Sequence, residues 1–163
     1  EHVSPARFAE NVITVNAVSK TYAMTGWRLG YLAARSGAIE QLLKIHQYVQ
    51  ACASSISQAA ALEAVCGQQD CVHQMRDEFR ARRDLLVAGF REMGVELTEP
   101  DGAFYLFPRV GDGDLIAERL AQAGVITVPG SAFGVGGREH IRISYAASRA
   151  NLEEALRRMK DIL

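Results

Sequence analysis

Residues 18–31 hold the side chains best suited to covalent chemistry in this 163-residue chain. Lys20 is one of only three lysines and follows an apolar run, whereas Lys44 and Lys160 lie in helical patterns among charged residues. A lysine among apolar and small residues is a candidate amine nucleophile toward a carbonyl compound. Arg28 follows after a run of small residues, and its fork of donors can hold a phosphate. The pair therefore suits a carbonyl compound that carries a phosphate.

Arg142 is the second candidate, in the run 140–145. Alternation along a strand places Ile141 and Ile143 on one face and Arg142 on the other. An arginine between two β-branched residues is rigidly presented, and it can hold a carboxylate by charge-assisted hydrogen bonds. The alternative is an edge-strand arginine paired with a structural carboxylate of the same protein.

Three motifs together resemble the pyridoxal-phosphate aminotransferases of class I/II, the fold-type I family. They are VSKTYAMTGWRLGY at 18–31, PDGAFYLF at 100–107, and VPGSAFG at 128–134 followed by RISYA at 142–146. The resemblance implies that Lys20 forms a Schiff base with pyridoxal 5'-phosphate and that Arg28, with Ser19 beside the lysine, binds this cofactor. It also implies that Arg142 binds the substrate α-carboxylate. In one departure, Ala17 stands where family members usually carry a serine or glycine, so the phosphate contact that a serine makes there is not expected.

Gly102 is a further possible contact to the substrate. In the family the matching turn lies near the bound substrate, where a glycine allows close approach. The alternative is a turn glycine that begins a core strand.

The resemblance implies an aminotransferase that moves an amino group between an amino acid and a 2-oxo acid, and a homodimer in the full-length protein. Two alternatives remain: another fold-type I enzyme of the β-lyase type, or the aminotransferase-like effector domain of a transcription regulator. Such regulators carry a Pro-Gly-Leu-Arg style continuation after the lysine, so the run from Met24 to Arg28 favours the enzyme. The resemblance covers only the later part of a family subunit. The isolated chain is therefore expected to be inactive, and its side-chain specificity stays open.

Composition excludes several other classes of function. The net charge is −1, from 18 basic and 19 acidic residues, which favours neither nucleic acid nor a membrane surface as partner. No apolar run approaches the roughly 20 residues of a membrane span. Three cysteines without CxxC spacing and four scattered histidines argue against a metal site and favour the cytoplasm.

The elements around these residues predict an α/β chain with two domains. Residues 1–80 are expected to be the end of a large cofactor-binding domain, and residues 81–163 a small C-terminal α+β domain with helices on one face of a small sheet. A long amphipathic helix over 72–93, ending at Gly94, links them. A buried strand over 12–16 and a second over 29–34 flank the lysine, with helices near 39–49 and 59–65. Later strands are predicted at 95–98, 103–107, 126–128 and 140–145, and helices at 115–122 and 152–162.

Overall fold

The computed structural model describes residues 3–163, which form two compact units divided between Gln74 and Met75. The first unit contains β1 (Thr14–Ala17), α1 (Val18–Thr21), β2 (Gly30–Ala33), α2 (Ser36–Val49) and α3 (Ser55–Cys66). Helix α4 (Asp70–Glu92) runs across the division. The second unit adds β3 (Tyr105–Leu106), α5 (Gly113–Gln122), β4 (Val128–Pro129), β5 (Ile141–Ser144) and α6 (Arg149–Met159). The assignment of residues 1–80 and 81–163 to two family domains stays a prediction.

Strands β1 and β2 form an antiparallel ribbon that brackets the lysine turn. Thr14 pairs with Ala33 and Ala17 with Gly30, so the chain between the strands is a closed loop. Both strands were predicted, but the buried environment expected for the first is wrong, because Val15 is 77% exposed. Within the described residues this sheet has two strands, so no further strand shields its side chains.

A small core fastens the lysine turn to α3. Val18, Met24 and Ala61 are buried together, so α1 and the turn after it pack directly on that helix. The buried Ser57 hydroxyl donates a hydrogen bond of 2.8 Å to the carbonyl of Trp27. The turn is therefore held by packing at its start and by a buried hydrogen bond near its end.

The second unit is a three-stranded antiparallel sheet, ordered β3-β5-β4, with helices on one face. Ile141 and Ile143 of β5 are buried in one cluster with Phe90 of α4, Leu120 of α5 and Met159 of α6. Arg142, between the two isoleucines, points away from that core and is partly buried. The predicted alternation along β5 and the predicted helical layer are both confirmed.

Two helix ends in the second unit are closed by capping groups, and the end of α4 at Gly94 was predicted. Gly94 takes a left-handed backbone (φ 72°) just after α4, and the Val95 N–H donates 3.0 Å to the Phe90 carbonyl, which closes the helix end. Ser148 caps α6, since its side chain accepts from the Asn151 N–H.

Two predicted strands differ from the structure. Residues 95–98 form no strand, because their pairing is limited to one bridge, between Glu96 and Arg109. The strand expected at 126–128 occupies Val128–Pro129 instead, and Ile126 is 82% exposed. Residues 95–98 have a bridge partner at Glu96 alone, and the pairing of β4 with β5 begins at Val128.

Each helix in the described part of the chain is too short or too polar to cross a lipid bilayer. The 23-residue α4 has sufficient length, but charged side chains recur along it.

Candidate active site

Lys20 lies in α1, the single helical turn that follows β1. Val18, two residues earlier, is only 1% exposed and anchors this turn in the small core. Ser19 is partly buried and Lys20 is exposed at the surface of its unit. The end of β1 therefore presents the lysine from a backbone that packing holds in place.

Thr25 connects the backbone beside Lys20 to Arg28. Its hydroxyl donates 3.2 Å to the Ser19 carbonyl, and its own carbonyl accepts 3.0 Å from Nη1 of Arg28. The structure thus brings Ser19 and Arg28 to the same residue, with Lys20 next to Ser19 in the chain. The sequence motifs implied no role for Thr25. The available signal was a hydroxyl residue inside a tight turn, since such side chains commonly bond to nearby backbone groups.

Arg28 itself has a strained backbone. Its φ of 52° and ψ of 47° lie in the left-handed region, which costs a residue with a side chain roughly 1–3 kcal/mol. The turn before it is fixed by the Trp27 N–H, which donates 3.1 Å to the Met24 carbonyl, and by the Ser57 bond to Trp27. Such a conformation persists only where its surroundings determine it, and it aims the guanidinium back across the turn.

The donor set on this turn fits a carbonyl compound carrying a phosphate. A guanidinium has five N–H donors, and the hydrogen bond of Arg28 to Thr25 uses one nitrogen. The Ser19 hydroxyl and the Lys20 amine are adjacent in the chain, so an amine, a hydroxyl and a guanidinium belong to one hydrogen-bonded segment.

In the second unit, Arg142 contacts two aromatic rings. Its guanidinium carbon lies 4.6 Å from the ring centre of Tyr105 and 4.7 Å from that of Phe133. Tyr105 belongs to β3, on one side of β5, and Phe133 follows β4, on the other side. One ring therefore comes from a strand that pairs with β5, and the other from the turn that follows its second neighbour.

Arg142 has no hydrogen-bond acceptor or carboxylate partner among residues 3–163. Three other arginines of this part of the chain, Arg7, Arg119 and Arg138, also lack a side-chain acceptor, but they are exposed to solvent. Arg142 is instead partly buried. The structural carboxylate considered as an alternative is not supplied by the described residues, so the donors of Arg142 are available to an anionic ligand.

Gly102 lies in the turn that precedes β3. Tyr145 fixes the turn: its hydroxyl donates 3.1 Å to the Ala103 carbonyl, and its N–H donates 3.0 Å to the Phe104 carbonyl. Burial raises the pKa of Tyr145, so its hydroxyl keeps the proton that it donates. A Cβ added to Gly102 would meet no atom within 4 Å, so packing does not require glycine there. A substrate contact by Gly102 stays a prediction.

The candidate residues divide between the two units. Lys20, Ser19 and Arg28 lie in the first unit, whereas Arg142 and Gly102 lie in the second.

The lysine turn lies on a β-ribbon in the first unit, and Arg142 lies on a strand of a small helix-backed sheet in the second, so the chain is an α/β protein. Residues 4–159 match the sequence profile of the family described as aminotransferase class I and II. The chain belongs to that family.

Similar proteins include a probable aspartate aminotransferase of Methanocaldococcus jannaschii, 45% identical over 99% of this chain and 45% of its own length. The aromatic-amino-acid aminotransferase 2 of Thermococcus litoralis is 42% identical over 94% of this chain and 41% of its own. A solved structure of a Thermus thermophilus aspartate aminotransferase mutant superposes with a TM-score of 0.94 at 38% identity. It is matched over 100% of this chain and 47% of its own. The chain thus spans less than half the length of each of these relatives.

Proposed function

We propose that the full-length protein is a pyridoxal-phosphate-dependent aminotransferase that moves an amino group between an amino acid and a 2-oxo acid. The observation that carries the proposal is the segment in which Thr25 bonds to both Ser19 and Arg28, with Lys20 between them in the chain. Membership in the class I and II family supports it. So do the names of similar proteins, which are aminotransferases for aspartate and for aromatic amino acids.

The residues of the lysine turn fit pyridoxal phosphate by their chemistry. The Lys20 amine would hold the aldehyde covalently, while Arg28 and Ser19 would contact the phosphate. When bound, this cofactor supplies an electron sink for the charge left at the substrate Cα. Lys20 then has a second role, because an amine set free by the incoming substrate can accept the Cα proton and return it elsewhere.

Arg142 would bind the substrate α-carboxylate, and Gly102 would lie beside the bound substrate. An unpaired, partly buried guanidinium offers two parallel donors, which match the two oxygens of a carboxylate. This arrangement orients the Cα–H bond without contributing to the proton transfer. We further propose a cytoplasmic homodimer, and an inactive chain when these 163 residues are produced alone.

The test is covalent trapping of the cofactor on the full-length protein. The protein is mixed with pyridoxal phosphate, reduced with borohydride, and digested, and the modified peptide is identified by mass spectrometry. We expect saturable labelling of Lys20 and none of Lys160. The Lys20→Ala variant should lose the label. Lys44→Ala should keep it, because Lys44 is an exposed helix residue bonded to Gln41.

Labelling spread over several lysines, or unchanged by Lys20→Ala, would refute the assignment. The result depends on where the label lies and requires no turnover.

A further inference from the structure

We propose that Tyr105 and Phe133 are positioning residues of the carboxylate site. Their rings hold the Arg142 guanidinium so that its N–H donors meet the carboxylate of the amino acid. The proposal rests on the proposed role of Arg142, and it adds two residues for which none of the sequence motifs implied a function.

The two rings lie close to the Arg142 guanidinium. Both ring centres are within 4.7 Å of the guanidinium carbon; Tyr105 belongs to β3 and Phe133 to the turn after β4, and β3 and β4 pair with β5 on opposite sides. The electron-rich face of an aromatic ring attracts a cation and limits its rotation. The two rings thereby restrict the long side chain of Arg142, whose Cα is already fixed by strand β5.

Aromatic partners leave the donors and the charge of Arg142 free for a ligand, which a carboxylate partner would not. A carboxylate placed against Arg142 would also restrict it, but it would use the N–H donors and neutralise the charge that the substrate must meet. Aromatic rings restrict the guanidinium without accepting its hydrogen bonds in the plane. Since no residue in the described range 3–163 accepts a hydrogen bond from Arg142, its donors and its charge stay available to a ligand.

Phe133 is itself held in place by contacts other than Arg142. Phe107 meets it edge-on, with ring centres 6.0 Å apart, and Phe107 stacks on His140 at 4.8 Å. The loop that carries Phe133 is fastened by the Gly130 N–H, which donates 2.8 Å to the His140 carbonyl. Phe133 nevertheless remains 51% exposed, so it is not a core residue of its unit.

Tyr105 is supported from within the sheet. It pairs with Ser144 across β3 and β5, and its ring lies 4.4 Å from that of Phe104. Both rings are therefore fixed by contacts that do not involve Arg142, as expected of groups that position another residue.

The experiment compares one substrate with and without its carboxylate. On the full-length, cofactor-loaded protein, the single-turnover rates with L-phenylalanine and with phenethylamine give a preference for the carboxylate. Phe133→Leu and Tyr105→Leu should each reduce that preference about fivefold or more. Phe133→Tyr and Tyr105→Phe keep an aromatic ring at each position and should retain the wild-type preference for the carboxylate. Phe133→Met is a second apolar replacement in case the leucine variant does not fold.

Val135→Ala is the matched control, because Val135 is 78% exposed in the same loop. The phenethylamine rate checks that each variant is folded and loaded, since that substrate cannot use Arg142.

The outcomes separate the two proposals. If Arg142→Ala abolishes the preference but the leucine and methionine variants retain it, the positioning role is refuted and the proposed function stands. If Arg142→Ala keeps the preference, the proposed role of Arg142 fails and the positioning role fails with it.

Discussion

Gly130→Ala tests whether the loop that carries Phe133 is as tightly built as the structure shows. A Cβ at Gly130 would lie 2.1 Å from the Gly137 carbonyl oxygen and 2.6 Å from the His140 carbonyl oxygen. An ordinary contact of this kind is about 3.4 Å or longer. The two backbone segments would therefore have to separate by about 1 Å.

The expected loss of stability follows from what the new methyl group meets. Both atoms belong to the backbone, so no side-chain rotation relieves the contact, and overpacking of this kind costs about 1–3 kcal/mol. Replacing glycine by alanine restricts the unfolded chain and returns up to about 1 kcal/mol. We expect a net loss of about 1–2 kcal/mol, together with a weaker preference for carboxylate-bearing substrates as Phe133 moves.

Urea unfolding of the full-length protein measures the first effect, and the substrate pair described above measures the second. Gly136→Ala is the matched control, since it lies in the same loop and its added Cβ would meet no atom within 4 Å. Equal unfolding midpoints for the two variants would refute the tight packing inferred here.

Three other predictions follow from the described residues. Phe90→Ala removes a fully buried ring from the second unit and should lower the free energy of unfolding by about 3–5 kcal/mol, measured by urea denaturation. Phe8→Ala is the control: Phe8 is 79% exposed, so its replacement should change the free energy of unfolding by less than about 0.5 kcal/mol. Hydrogen bonds from Arg149 and Arg82 lower the pKa of Glu78 from 4.5 to about 2. The ionised carboxylate therefore stabilises the fold above pH 4.5, and this stabilisation is lost as the pH falls toward 2. Glu78→Gln should therefore be less stable than wild type at pH 7, and a gap between their unfolding midpoints that fails to close between pH 4.5 and 2 would contradict the reasoning. Lys20→Ala should leave less than about a tenth of the wild-type turnover in the full-length protein, and higher activity in a transamination assay would exclude its proposed role.

Local patterns in the sequence predicted the parts of the fold that local physics determines. The alternation around Arg142 placed two isoleucines in the core and the arginine on the opposite face. The glycine at 94 marked the end of α4 because it supplies the left-handed backbone conformation that a helix end requires.

Long-range partners could not be predicted in the same way. The rings that contact Arg142 are 37 residues before it and 9 residues before it, and nothing in the spacing indicates that they meet. Strand formation over 95–98 also depends on a neighbour, and here the neighbour bonds at Glu96 alone. The exposure of Val15 has the same cause, since an apolar strand is buried only where another layer covers it.

The left-handed backbone of Arg28 sets stability and activity against each other at one position. Glycine adopts φ 52° at no steric cost, so Arg28→Gly would relieve the backbone while removing the guanidinium that the proposed cofactor site needs. Selection of variants for thermal stability alone should therefore enrich glycine at position 28, and selection for cofactor retention should restore arginine. The backbone angles at position 28 thus favour glycine for stability, whereas the proposed cofactor binding favours arginine.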